Sequence, residues 1–381
     1  MMMTMTTMRR PPLPPPPTRL RRAWRAGCGL LLAAAAALAT AAAAKEEEEA
    51  ARDLVYRFPT GNRALLQEGR GNDFYMYCDR NFEGEKSKPW QAGGYGMVRN
   101  PFRASDGTVM YSRLHEGIDI KPLQRDAQGE PLDVVRPIAP GRVVHASTQP
   151  GLSNYGRYVV VSHRTPEGVI YSLYAHLARV SCQVGQHVGT ANALGVMGHS
   201  GAGLNRERSH VHLEICLMIH SRYEEFCSKE NKHGLYNGLN LVGVDPAPIL
   251  IACKNGEPLS LRAHWATLRE HYRVRVPWDG KPVDLLRRHP FLFHGEWTPR
   301  PQSLDFAFSA EGVPLAVYPA QERVSEPTVI RCRPMPTLQQ NVTMNRVKNG
   351  SRDARLTASG LRYVNQYLWQ KPATPPPPAQ P

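Results

Sequence analysis

The 381-residue chain reads as mainly β: a compact antiparallel β-sheet domain over residues 93–250, followed by a mixed α+β region over 251–370. Three observations predict this. Short apolar runs rich in Val, Ile and Tyr recur between turn residues at Gly141–Ala146, Arg157–His163, Gly168–Leu177 and Ala193–Gly198. No helical pattern of useful length separates Gly93 from Glu214. The stretch Arg208-Ser209-His210-Val211-His212-Leu213-Glu214-Ile215 alternates strictly. As a strand it projects His210 and His212 from one face.

Residues 1–44 carry six arginines, no acidic residue, a Pro14–Pro17 run and an Ala-rich apolar stretch from Gly27 to Ala44. The acidic Lys45–Glu49 follows. A spanning helix needs about 20 apolar residues; this pattern instead predicts an export signal, so that the chain works outside the cytoplasm, in the periplasm, outside the cell or at its wall. No membrane span is expected after cleavage. Taking those six arginines from the formal +14 leaves +8. The charges are scattered, with no nucleic-acid-binding module among them, which excludes that partner class. Six cysteines follow the leader, and Cys216–Cys227 is the pairing expected to close the excursion after the His-rich strand.

Residues 45–92, with turn clusters at Pro59–Asn62 and Gly69–Asn72, form a segment that wraps the following domain. Gly93–Pro101 reads as a strand running into a turn. In Leu114-His115-Glu116-Gly117-Ile118-Asp119-Ile120 a two-residue period puts His115, Gly117 and Asp119 on one face, the glycine leaving room for an ion. Beyond Val244–Leu250 the character changes. Leu261, Trp265, Leu268 and Tyr272 predict an amphipathic helix. Leu304–Phe308 and Leu315–Tyr318 predict strands, Ala358, Leu361 and Leu368 a last helix, and residues 371–381 a Pro-rich tail.

A hydrolytic zinc centre needs three protein ligands and an open fourth position. His115, Asp119 and one of His210 or His212 supply the three; the other histidine, or His176, is then available as general base or oxyanion partner. His145, His163, His187, His199 and His220 are read as surface or hydrogen-bonded residues. Asp133 and Glu214 are read as structural, Glu214 with a possible place beside His212.

Six motifs in order resemble the lysostaphin/LytM-type zinc endopeptidases: His115-x-Gly-x-Asp-Ile120, Gly141-x-Val-Val-x-Ala146, Tyr171-x-x-Tyr-Ala-His-Leu177, Val184-Gly-Gln-x-Val188, Gly198-x-Ser-Gly201 and His210-x-His-Leu-Glu-Ile215. The resemblance spans Gly93 to Leu250. It implies an antiparallel β domain with an open groove, one Zn2+ and cleavage of peptide bonds in cell-wall peptidoglycan. It further implies that His115, Asp119 and His212 are the metal ligands, and that His176 and His210 are the catalytic histidines. Arg99, in Gly96–Pro101, resembles an arginine that meets the substrate carbonyl. Two loops depart from the family pattern: Ala202–Ser209 is longer and more charged, and Gln124–Val135 is enlarged. Two other readings are compatible with the resemblance. One is an inactive member that activates wall amidases by binding them, which retention of all five polar positions opposes. The other is a secreted protease acting on proteins.

Overall fold

The β-branched runs form strands because their alternating side chains serve two different surfaces of one sheet. A computed structural model describes residues 52–76, 80–87, 93–227 and 234–369. The leader, the tail and Cys78 lie outside the described residues. Strand β1 (Gly96–Arg103) and β2 (Val109–His115) make a hairpin, and β3 (Ile118–Ile120) follows after a break at Glu116–Gly117. Then come β4 (Gly141–Ser147), β5 (Tyr158–Thr165), β6 (Gly168–Ala175), β7 (Val211–Met218) and β8 (Leu241–Val244). All pairings are antiparallel, in the order His187–Val188, β4, β5, β6, β7, β8.

The second edge of β7 is shared. Its C-terminal half pairs with β8, and its N-terminal half pairs with β3 in the register Val211↔Ile120, His212↔Asp119, Leu213↔Ile118. One face of the sheet, with Val159, Val161, Tyr174, Val211, Leu213, Ile215 and Leu217, lies in the main core. The other face buries Tyr158, Val160, Leu173, Ala175, Cys216 and Met218 as a smaller cluster. His212 and Glu214 belong to this second face by alternation along β7.

Gly117 has a different reason from the one its spacing suggests. A Cβ there would lie 2.1 Å from the Leu213 carbonyl oxygen, so the glycine permits β3 to seat on β7 rather than vacating space for an ion. The expected single strand over 114–120 is two strands, the first ending at His115 and the second starting at Ile118.

The described residues from Asp53 onward form one compact unit, and the main core continues past residue 250. Asp245 caps α1 (Pro246–Ala252) by accepting from the Ala247 N–H. The predicted helix at 261–272 is shorter: α2 (Leu261–Ala266), capped by Ser260, stops before Thr267, and Tyr272 opens strand β9 (Tyr272–Pro277). The expected strands occur as β10 (Ser303–Phe308) and β11 (Pro314–Ala320), joined by β12 (Thr328–Cys332) in the order β11, β10, β9, β12. The last helix is α3 (Ala358–Leu368), which starts on the Thr357 side-chain cap. The Cys216–Cys227 bridge does not form: Cys182, Cys216, Cys227, Cys253 and Cys332 are free thiols. Cys216 is held in the sheet, where its thiol donates to Glu214 at 3.3 Å, while Arg362 approaches Cys227 at 3.0 Å.

Among the described residues no helix is long and apolar enough to cross a membrane. A cavity of about 580 Å³ is lined by β1–β2 residues such as Met97 and Val109 and by Leu268, Glu311 and Met335, and none of His115, His176, His210 and His212 lines it.

Candidate metal centre and flanking histidines

The strand register assembles the site. His212 on β7 is directly opposite Asp119 on β3 and opposite Ala175 on β6, after which His176 turns inward with φ +64°. That backbone conformation is uncommon for a residue with a Cβ and is characteristic of constrained sites. His115, at the end of β2, closes the group from the hairpin. His210 precedes β7, its N–H donating to the Gly198 carbonyl at 3.0 Å.

Three atoms converge. His212 Nδ1 is 2.9 Å from Asp119 Oδ1 and 2.9 Å from His115 Nε2, and His115 Nε2 is 3.1 Å from Asp119 Oδ1. Among the described residues this trio is the group whose donor atoms are arranged to hold a metal ion. The opposite ring nitrogens are occupied: His115 Nδ1 donates to the Gly94 carbonyl at 2.7 Å, and His212 Nε2 donates to Glu214 Oε1 at 2.9 Å. Each imidazole therefore turns its remaining nitrogen toward the common point, the arrangement found around metal-ligating histidines. Two nitrogens and one carboxylate oxygen suit Zn2+.

The charges agree. Burial opposes ionisation of Asp119, yet His115 and His210 outweigh it and hold the carboxyl well below its ordinary value. Burial lowers His115. Burial also opposes charge on His212, but its hydrogen bonds to Asp119 and Glu214 raise it to about 10. Two carboxylates flanking one imidazole call for a positive charge at that point, which a bound cation would supply in place of the proton.

His176 and His210 stand beside the trio, with ring centroids 4.7 Å apart. His176 Nδ1 donates to the Ser200 carbonyl at 2.9 Å, and His210 Nδ1 donates to the Arg208 carbonyl at 2.6 Å. Both thus present Nε2 inward; that of His210 lies 3.4 Å from Asp119 Oδ1. Burial and the neighbouring His210 and His212 keep His176 well below the ordinary histidine value. His115, Asp119, His210 and His212 are only 2–5% exposed, and His176, half-buried, opens the group toward solvent. Arg99 places Nη2 3.2 Å from Asp119 Oδ2, so it steadies the carboxylate while remaining one-third exposed.

The histidines read as bystanders stay outside the group. His163 is sealed in a chain to the Pro140 carbonyl and Ser172, His199 meets Glu130, and His220 meets the Trp369 carbonyl. His145 packs on Tyr158 with centroids 4.5 Å apart. Asp133 caps the backbone N–H groups of Leu123 and Gln124. Sequence reasoning did not find Tyr155, which donates to Glu214 at 2.7 Å; no spacing relates it to the histidines, because only the fold brings it beneath β7.

Residues 113–223 match the model of Peptidase family M23. The matched segment encloses His115, Asp119, His176, His210 and His212. The chain is also similar to solved structures. The catalytic domain of lysostaphin from Staphylococcus simulans is 21% identical over 41% of this chain and 88% of its own, with a TM-score of 0.26. A zinc-containing peptidase from Vibrio cholerae is 20% identical over 38% of this chain and 36% of its own, at 0.23. A Pseudomonas aeruginosa protein provisionally named a peptidase M23 is 18% identical over 47% of this chain and 55% of its own, at 0.24. The family match, not these structures, supports the reading proposed below. No curated protein matches the chain.

Proposed function

We propose that the M23 domain is an exported zinc metallo-endopeptidase that hydrolyses peptide cross-links of cell-wall peptidoglycan. The observation that carries this reading is the convergence of His115 Nε2, Asp119 Oδ1 and His212 Nδ1 beside two further inward-facing imidazoles. His115, Asp119 and His212 would hold the ion, which when bound supplies Lewis acidity toward a carbonyl and a water. His176 stays neutral near pH 7, and its Nε2 takes the proton from the attacking water. His210, whose Nε2 faces the Asp119 carboxylate, is placed to stabilise the developing oxyanion. Arg99 at the rim meets the substrate carbonyl. Export rests on the leader pattern of residues 1–44, and the wall substrate on the motif resemblance together with the family.

The test uses residues 45–381 and isolated cell-wall sacculi, with and without chelator. Chelator-sensitive release of peptide-cleaved fragments is expected; its absence would remove the enzyme reading. Cleavage confined to soluble protein substrates would point to the protease alternative. In the same system His212→Ala is expected to lose bound zinc, whereas His210→Ala keeps the metal and loses turnover by about 10²–10⁴-fold. Equal zinc loss in both variants would overturn the division of roles.

A further inference from the structure

We propose that Tyr155 and Glu214 form a positioning pair that locks the His212 ring with Nε2–H directed away from the metal centre, and that links this ring to His176. Its use rests on the metallopeptidase reading; its existence does not.

Glu214 is fully buried. Its Oε1 receives the Tyr155 hydroxyl at 2.7 Å and His212 Nε2–H at 2.9 Å, and its Oε2 receives the Cys216 thiol at 3.3 Å. Three donors meet a carboxylate that offers only acceptor sites, so Nε2 of His212 must carry hydrogen and Nδ1 is the nitrogen left for His115 and Asp119. A ring flip would aim a lone pair at a buried carboxylate, and low local dielectric makes that arrangement costly. Tyr155 adds a second connection, because its backbone carbonyl accepts the His176 N–H at 2.9 Å. Anchoring the Tyr155 ring through Glu214 therefore anchors the carbonyl that holds His176 in its left-handed conformation. Gly156, next in the chain, has φ +64°, and a Cβ there would lie 2.4 Å from the Ser200 backbone. The Tyr155 turn is thus also seated on the residue whose carbonyl takes His176 Nδ1–H.

The experiment is ¹⁵N–¹H NMR of histidine-labelled protein, with and without zinc, combined with zinc titration against a chromogenic chelator. Wild type is expected to show a downfield, exchange-protected ring N–H from His212 even without metal. Glu214→Ala should lose that signal and weaken zinc binding 10–100-fold. Glu214→Gln, whose Oε1 still accepts from Nε2–H, should keep the signal and recover part of the affinity. Tyr155→Phe keeps the ring and loses the hydroxyl; it should shift the signal, weaken zinc several-fold and lower kcat with KM unchanged. Should Glu214→Ala not fold, Tyr155→Phe decides alone. An unchanged His212 signal with wild-type zinc affinity in the variant overturns the pair. Wild-type protein with the protected signal but no zinc uptake supports the pair and overturns the metallopeptidase reading instead.

Discussion

Gly117→Ala is the sharpest test of how the site is built. The added methyl would sit 2.1 Å from the Leu213 carbonyl oxygen and 2.9 Å from Glu214 Cγ, where real Cβ contacts stay beyond 3.0 Å. The nearest obstacle is backbone of the neighbouring strand, so no rotamer relieves it, and β3 must withdraw from β7 by about 1 Å. Overpacking of this kind costs about 1–3 kcal/mol, with the upper end expected against backbone. The same movement carries Asp119 and His115 away from His212, and displacement of that size lowers turnover by about 10²-fold. Urea unfolding followed by tryptophan fluorescence reads the first effect as a lower midpoint at unchanged slope. Chelator competition reads the second as weaker zinc binding. Gly151→Ala is the control: nothing lies within 4 Å of its added Cβ, and a change within about 0.5 kcal/mol is expected. If Gly117→Ala matched that control in stability and zinc affinity, the seating of β3 on Leu213 would be wrong.

Three further outcomes are expected. Burial holds His163 and His289 down to about 4, with Arg288 adding to the effect on His289. Both stay neutral in the fold while the unfolded chain protonates near 6.5, so stability is complete above pH 6.5 and falls toward pH 4 by about 3 kcal/mol per histidine; a flat urea midpoint across that window would contradict it. Arg275→Ala strands the Asp305 carboxylate, paired at 2.7 Å and only 9% exposed, and should cost about 3 kcal/mol by the same unfolding assay. Asp245→Ala removes the α1 cap and should cost about 1 kcal/mol.

Much of the sheet and of the site was legible because both obey a two-residue period. Alternation along β7 placed His210, His212 and Glu214 together, and it placed His115 with Asp119 even though the chain breaks between them. Leu304–Phe308 and Ala358–Leu368 were readable for similar reasons, one from β propensity and one from helical spacing. Tyr272 misled because a buried position at helical spacing is equally a buried position in a strand. The cysteine pairing failed because a count of thiols carries no geometry, and Cys216 already has a partner in Glu214. Tyr155 was invisible because its contact spans 59 positions and joins a turn to a strand that only the fold brings together.

The split edge of β7 also bears on how the molecule folds. His115 and His212 are 97 positions apart, and Asp119 and His212 are 93 apart. Closing loops of that length precedes any reward from the contacts they make, which slows folding. The donor atoms meet where β3 lies on the edge of β7 that also carries β8, so a chain that ends before residue 212 lacks the third donor. On the proposed metal-centre reading, metal affinity would report completed assembly, and the binding free energy of the ion would become folding free energy for the joint where distant parts of the chain meet.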